Sequence, residues 1–269
     1  MILNRRPLLA ALGAAALPFA AHAQDEPRRV ERWAELRRAL FGDRLVEEAG
    51  EAITLEAPMR ALDAALVPIS LSLAADLAPR VRAIHLVIDE NPSPLAAVFR
   101  AGPAGDLRVL STRVRVDAYT WLRAVAETAD GRLLQTARFV KAAGGCSAPA
   151  SSDLRAARER MGRVRFALPQ GGPTPDQAVP VQVALSHPNT SGLQMDQLTR
   201  FAIPAEFVRQ VTVSYRGQAV LTVECDISIA ENPTFGFALA GEPGGELRLE
   251  AEDNKNRRFA GNMTVGAAG

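Results

Sequence analysis

Apolar and polar positions alternate in short runs along most of this chain. In Thr112-Arg113-Val114-Arg115-Val116 the arginines face one way and the valines the other, as a half-solvated antiparallel strand requires. Short β-rich or alternating runs recur at 83–88, 107–116, 119–126 and 133–141. They continue at 163–168, 179–185, 210–215, 219–223 and 246–251, with Gly217, Gly241 and Gly244-Gly245 marking hairpins. Helical periodicity is confined to two places. One is 27–41, stopped by Gly42; the other is 152–161, where Ser152 or Asp153 can cap and Gly162 can end the helix.

Near the middle lies an Ala/Gly/Ser/Pro-rich stretch, 142–152, that reads as a boundary. Each side of it carries its own set of strands. A faint echo links them: Glu90-Asn91-Pro92 leads to Phe99, and Glu231-Asn232-Pro233 leads to Phe235 and Phe237. Many short strands with turn signals predict an all-β protein of two Ig-like antiparallel β-sandwiches, near 45–141 and 163–266. The two are expected to pack against each other, joined by a flexible Gly/Ala/Ser/Pro arm and a short helix.

The first residues change the compartment. Asn4-Arg5-Arg6-Pro7, an Ala/Leu run and Ala21-His22-Ala23 form a basic region, a short apolar region and a small-x-small cleavage site. That is a signal peptide, 1–23, and the paired arginines suggest twin-arginine export. The mature chain is expected in a bacterial periplasm, beginning with a helical segment at 24–44. No other segment has the apolar length to span a bilayer. Loss of Arg5 and Arg6 with the leader takes the formal charge from +1 to −1, which argues against a nucleic-acid partner. Three histidines and two cysteines, none closely set, give little support to a metal site, and no cofactor loop is present.

Candidate chemistry centres on Lys141-Ala-Ala-Gly144-Gly145-Cys146-Ser147-Ala-Pro149. Every residue around the thiol is small or flexible. The expectation is an exposed, poorly ordered arm with Cys146 presented for reaction, Gly144 and Gly145 as hinge, and Lys141 as the nearest cation in sequence. Cys225, inside the strand-like 220–229, reads as a buried structural thiol; a disulfide with Cys146 is the alternative. His187, beside Pro188 in a Gly/Asn/Ser/Thr-rich turn, reads as a loop or interface residue rather than a ligand or an acid/base. Asp153 and Glu159 read as a solvated helix face, and Trp33 and Trp121 as packing residues. Arg113 and Arg115 fit an exposed strand face, or an anion site.

These residues resemble a known pair of families. The first half is similar to SoxY in Val67-Pro68-Ile69, Glu90-Asn91-Pro92-Ser93-Pro94, Thr112-Arg113-Val114-Arg115, Asp130-Gly131 and Gly144-Gly145-Cys146. The second is similar to SoxZ in His187-Pro188, Gly192, Asp196, Ile203-Pro204, Phe207-Val208, Asn232-Pro233-Thr234-Phe235 and Asp253-Asn254-Lys255. On this resemblance 45–146 is a SoxY-like sandwich ending in the Gly-Gly-Cys arm, 147–162 a linker with a short helix, and 163–269 a SoxZ-like sandwich. The resemblance implies a non-catalytic carrier that holds inorganic sulfur covalently on Cys146 for periplasmic sulfur-oxidation or quinoprotein dehydrogenase components. A non-covalent accessory of a periplasmic quinoprotein dehydrogenase is the alternative. The family arm ends just past its cysteine, whereas here Ser147-Ala148-Pro149 leads into a further domain. An arm held at both ends has less reach, and Pro149 stiffens it.

Overall fold

The computed structural model describes residues 20–149, 154–170, 172–196 and 199–266. Helix α1 (Ala20–Phe41) leads into eight strands: β1 (Val46–Glu48), β2 (Ile53–Glu56), β3 (Val67–Leu73), β4 (Val81–Ile88), β5 (Leu95–Ala101), β6 (Val109–Val114), β7 (Thr120–Thr128) and β8 (Leu133–Val140). Beyond the arm, the short α2 (Leu154–Glu159) precedes seven more. These are β9 (Val164–Ala167), β10 (Val179–Leu185), β11 (Val208–Tyr215), β12 (Gln218–Cys225), β13 (Thr234–Leu239), β14 (Glu246–Asp253) and β15 (Arg258–Thr264).

The strands form two layers, as the alternation predicts. One sheet has the order β1-β8-β7-β4-β5-β12-β11-β14-β15 and the other β2-β3-β6-β13-β10-β9. Pairing within both is antiparallel apart from β1 with β8. In β3 the apolar Val67, Ile69, Leu71 and Leu73 point inward while Pro68 and Ser72 are exposed, the period-two pattern of a sheet with one buried face.

Each half supplies strands to both layers, so each is a sandwich of its own, but the two do not pack as separate bodies. They join edge to edge. Strand β5 pairs with β12 from Ala97–Cys225 to Ala101–Leu221, and β6 meets β13 at Leu110–Phe237 and Ser111–Gly236. Both sheets therefore run through the junction, which corrects the expectation of two sandwiches merely packed together. The reason is elementary: an open sheet edge is a row of unpaired N–H and C=O groups, and a second sandwich on the same chain satisfies it. One apolar core crosses the seam, with Ile84, Phe99 and Leu110 from the first half and Val183, Leu221 and Phe235 from the second. The Phe99 and Phe235 rings meet edge-on across it, 6.2 Å apart.

Helix α1 covers the outer face of the first half. Phe41 meets the His85 ring edge-on at 5.1 Å, and Trp33 lies 4.3 Å from the Arg123 guanidinium, which is itself bonded to Asp89. Trp121 packs on Phe139 at 5.2 Å, so both tryptophans are packing residues. The signal peptide reading, 1–23, falls almost wholly outside the described residues. So do Ser152 and Asp153, the expected cap of α2. Among the described residues no helix is long and apolar enough to cross a membrane.

Candidate functional site

After β8 the chain turns back along the segment that follows β6. The Gly144 amide donates to the Asp117 carbonyl at 2.8 Å, and the Gly145 amide to that of Val116 at 2.9 Å. The Cys146 amide then donates to the Asp117 carboxylate at 3.2 Å. The second half closes over the other side. The Ser191 hydroxyl donates to the Cys146 carbonyl, and the Gln194 side-chain amide donates to the Ala148 carbonyl at 2.8 Å. Arg115 ties the two halves together, donating to the carbonyls of Gly145 at 3.2 Å and Asn189 at 3.3 Å.

Cys146 is consequently 0% exposed, on an ordered and hydrogen-bonded arm. This corrects the expectation of an exposed, poorly ordered thiol. Small residues make a tether mobile in isolation, but they also let a backbone lie close against another. Glycine is needed at both hinge positions for different reasons. Gly144 has φ of +76°, the left-handed region. A Cβ on Gly145 would stand 2.1 Å from the Ala64 oxygen and 2.6 Å from that of Val116.

Burial pushes the Cys146 thiol up to about 12, with Asp117 adding to the effect and Arg115 opposing it. Docked, it is a neutral thiol and a poor nucleophile at neutral pH, because the thiolate is the reactive form. Cys225 is buried as expected, paired with Ala97 at the seam, and its thiol is also pushed up, by burial and then by Asp226 and Glu224. Both cysteines are free, so the alternative of a Cys146–Cys225 disulfide is not realised.

The arginines depart from the strand-face reading. Arg113 is half-buried and bonds the Asn232 carbonyl and the Thr234 hydroxyl across the seam. Arg115 lies past the end of β6 and is 1% exposed. Burial lowers its proton affinity, and Cys146 is foremost among the groups whose charge opposes that. The cation that acts on the thiol is therefore Arg115, not the sequence neighbour Lys141. Lys141 uses its main-chain amide to hold the Met59 carbonyl at 2.8 Å.

His187 is a fully buried organiser of the loop over the arm. Its Nδ1 accepts the Asn189 amide at 3.0 Å, which leaves the proton on Nε2, 3.4 Å from the Asp253 carboxylate. Burial lowers its proton affinity although Asp253 works the other way, so it is a neutral imidazole. Asp253 and Glu206 share Arg257, at 2.6 and 2.5 Å, and Arg158 reaches Glu206 from α2 at 3.1 Å.

Sequence reading missed Asp117, Ser191, Gln194 and Asn189, the polar groups that hold the arm. The Glu-Asn-Pro echo was the available signal. Asn91 donates to the Arg115 carbonyl at 2.7 Å and accepts from the Asp117 amide at 2.9 Å, fixing the segment beneath the arm. Its counterpart Asn232 accepts from the His187 amide at 3.2 Å, fixing the loop above it. The echo thus marks equivalent loop-holding positions on the two sides of the arm. Among the described residues, no group of three or more His, Cys, Asp or Glu is arranged to hold a metal ion.

Comparison with known proteins agrees with this layout. The family model of the sulfur oxidation protein SoxY matches residues 37–146, ending on the arm cysteine, and that of the sulphur oxidation protein SoxZ matches 169–264. Among solved structures, the sulfur carrier protein SoxY from Chlorobium limicola f thiosulfatophilum is 24% identical with a TM-score of 0.38, covering 45% of this chain and 99% of its own. A β-glycosidase from Bacteroides vulgatus covers 86% of this chain and 26% of its own at 10% identity and a TM-score of 0.22. No curated protein sequence matches the chain. With a SoxY domain followed directly by a SoxZ domain, and an arm cysteine clasped between them, the chain belongs with the SoxYZ-like fusion proteins.

Proposed function

We propose that this protein is a periplasmic sulfur carrier, itself without catalytic activity, that holds an inorganic sulfur species covalently on Cys146. The observation that carries the reading is the arm. A Gly-Gly-Cys segment at the end of the SoxY domain is fastened by hydrogen bonds from both domains, all to main-chain atoms of the arm. Contacts of that kind are individually modest, about 0.5–1.5 kcal/mol each net and about 1.5–3 kcal/mol where Arg115 or the Asp117 carboxylate takes part, so the arm can be released without unfolding either sandwich. Gly144 and Gly145 are the hinge for that movement.

Uptake of thiosulfate joins the Cys146 sulfur to the terminal sulfur of the anion. It yields a thiosulfonate, one proton and two electrons, and the electrons pass to an electron-accepting redox protein of the periplasm. Transfer of one zero-valent sulfur atom from a persulfide or polysulfide donor, which leaves as the thiol or as the chain one sulfur shorter, gives a persulfide. Either adduct is reducible, so a partner enzyme can take the cargo back by attack on the S–S bond. The test is a cell that oxidises inorganic sulfur compounds and carries Cys146→Ala in this protein. Sulfur oxidation is expected to fall to the level of a deletion strain while the protein accumulates normally; unchanged oxidation would overturn the reading.

One observation favours a second reading, that of a non-covalent accessory to a periplasmic quinoprotein dehydrogenase. The thiol is buried and neutral, and its arm is anchored at both ends. In that case loss of the whole protein impairs the dehydrogenase, and Cys146→Ala does not.

A further inference from the structure

Arg115 carries a permanent positive charge with no carboxylate in direct contact; Glu231 and Asp63 favour that charge only from beyond ion-pair distance. Its side chain is 1% exposed, and among the described residues no carboxylate forms an ion pair with it. Each terminal nitrogen gives one of its two N–H groups to a carbonyl, Nη1 to Gly145 and Nη2 to Asn189, one from each domain. The Nε–H is buried and has no partner at all. A buried charge of this kind is costly unless an anion compensates it, and an unfilled donor adds to the cost. The residue after Gly145 is the arm cysteine, whose thiol is neutral when empty and so cannot serve.

We propose that Arg115 is the receptor for the negative charge of the sulfur group carried on Cys146, its unused Nε–H and its fixed charge meeting the sulfonate or persulfide end of the cargo. This rests on the carrier reading and adds the residue that recognises the loaded state. A guanidinium suits the task, because it stays charged when buried and presents donors in a rigid fork to an oxyanion. The site then distinguishes cargo by charge: a thiosulfonate, sulfonate or persulfide is held against Arg115, whereas an uncharged disulfide is not. Because Arg115 also grips the loop of the second domain through Asn189, loading the arm tightens the contact between the two domains.

The test uses the full chain with two chemically made adducts on Cys146, each verified by peptide mass. One is the anionic S-sulfonate, from sulfite and tetrathionate, and the other the uncharged methyl disulfide, from a methanethiosulfonate reagent. In the wild type the S-sulfonate form is expected to melt about 2–4 °C above the methyl disulfide form. In Arg115→Gln that order is lost or reversed, and Arg115→Lys, which keeps the charge without the fork, restores part of it. A purely structural arginine would lower both forms equally and leave their difference unchanged, which overturns the proposal. Equal melting of the two wild-type adducts also overturns it, so the result stands even if Arg115→Gln fails to fold. Both adducts are made in vitro. A failure of the carrier reading, seen as no adduct on protein from its own cell, therefore remains separate from a failure here.

Discussion

The hydroxyl of Ser191, in the SoxZ domain, donates to the carbonyl oxygen of Cys146, at the end of the SoxY domain. This bond and its neighbour from Gln194 to Ala148 place the latch of the arm in one domain and its thiol in the other. In a fusion the latch is always beside the arm, at the effective concentration set by a short tether. Reaction at Cys146 therefore begins with release from Ser191 and Gln194.

Thiol labelling reads that release. Cys146 is expected to react slowly in the native protein, at a rate set by arm opening, and Cys225 only on unfolding. Ser191→Ala with Gln194→Ala removes two side-chain bonds to the arm and should speed Cys146 labelling by roughly 10-fold or more, with Cys225 unaffected. Labelling of Cys146 at the rate of an unstructured peptide would contradict the docked arm.

Gly145→Ala tests the close approach directly. Its Cβ would overlap the Ala64 and Val116 carbonyls, both backbone atoms that cannot swing aside. The arm should leave its seat, giving fast labelling at Cys146, with a stability loss of roughly 1–3 kcal/mol in denaturant titrations. Gly144→Ala, strained only by its positive φ, should cost about 1 kcal/mol and open the arm less.

The two buried thiols predict alkaline sensitivity. Both have proton affinities raised above the ordinary value of 9.0, so the folded state keeps protons that the unfolded state has released. Their contribution is whole below pH 9 and is lost as the pH rises from there towards 12. Chemical denaturation at about pH 8 and pH 10 should show the fall, and Cys146→Ala should reduce its slope. An unchanged slope in that variant would mean that the thiol is not buried in solution.

Acid acts through the histidines. His85 and His187 are held neutral by burial, below their ordinary value of 6.5, so the unfolded state binds protons first as the pH falls. Stability supplied by the neutral rings is present above about pH 6.5 and lost below it. The depressed Glu206 and Asp253 extend the loss to lower pH, since protonation removes their bonds to Arg257. Between about pH 7 and pH 5 the melting temperature should drop, less steeply in His187→Gln.

Much of the architecture was legible in the sequence, because strands with one buried face write their period into it. The 107–116 and 133–141 runs contain β6 and β8, and the 246–251 run covers all but the last two residues of β14. Six strands escaped, β1, β2, β3, β5, β13 and β15, and two of these, β5 and β13, form the seam. Strand β5, Leu95–Ala101, is buried over most of its length and so lost its alternation, and β13, Thr234–Leu239, is short and interrupted by Gly236. With those two strands unread, the edge-to-edge union of the halves was invisible. The exposure of Cys146 was misjudged for a related reason. Local composition reports how easily a segment bends, not what the distant Asn189–Gln194 loop will lay over it. Arg115 was misplaced in the same way, since alternation continues past the end of β6 but solvent does not.

The measurement that bears most directly on the carrier account is the intact mass of this protein purified from its own host, before and after a thiol reductant. The account predicts a fraction heavier by an inorganic sulfur group, located at Cys146 by peptide mass, released by the reductant and absent from Cys146→Ala. A single unmodified mass, identical with and without reductant in cells actively oxidising sulfur compounds, would contradict it.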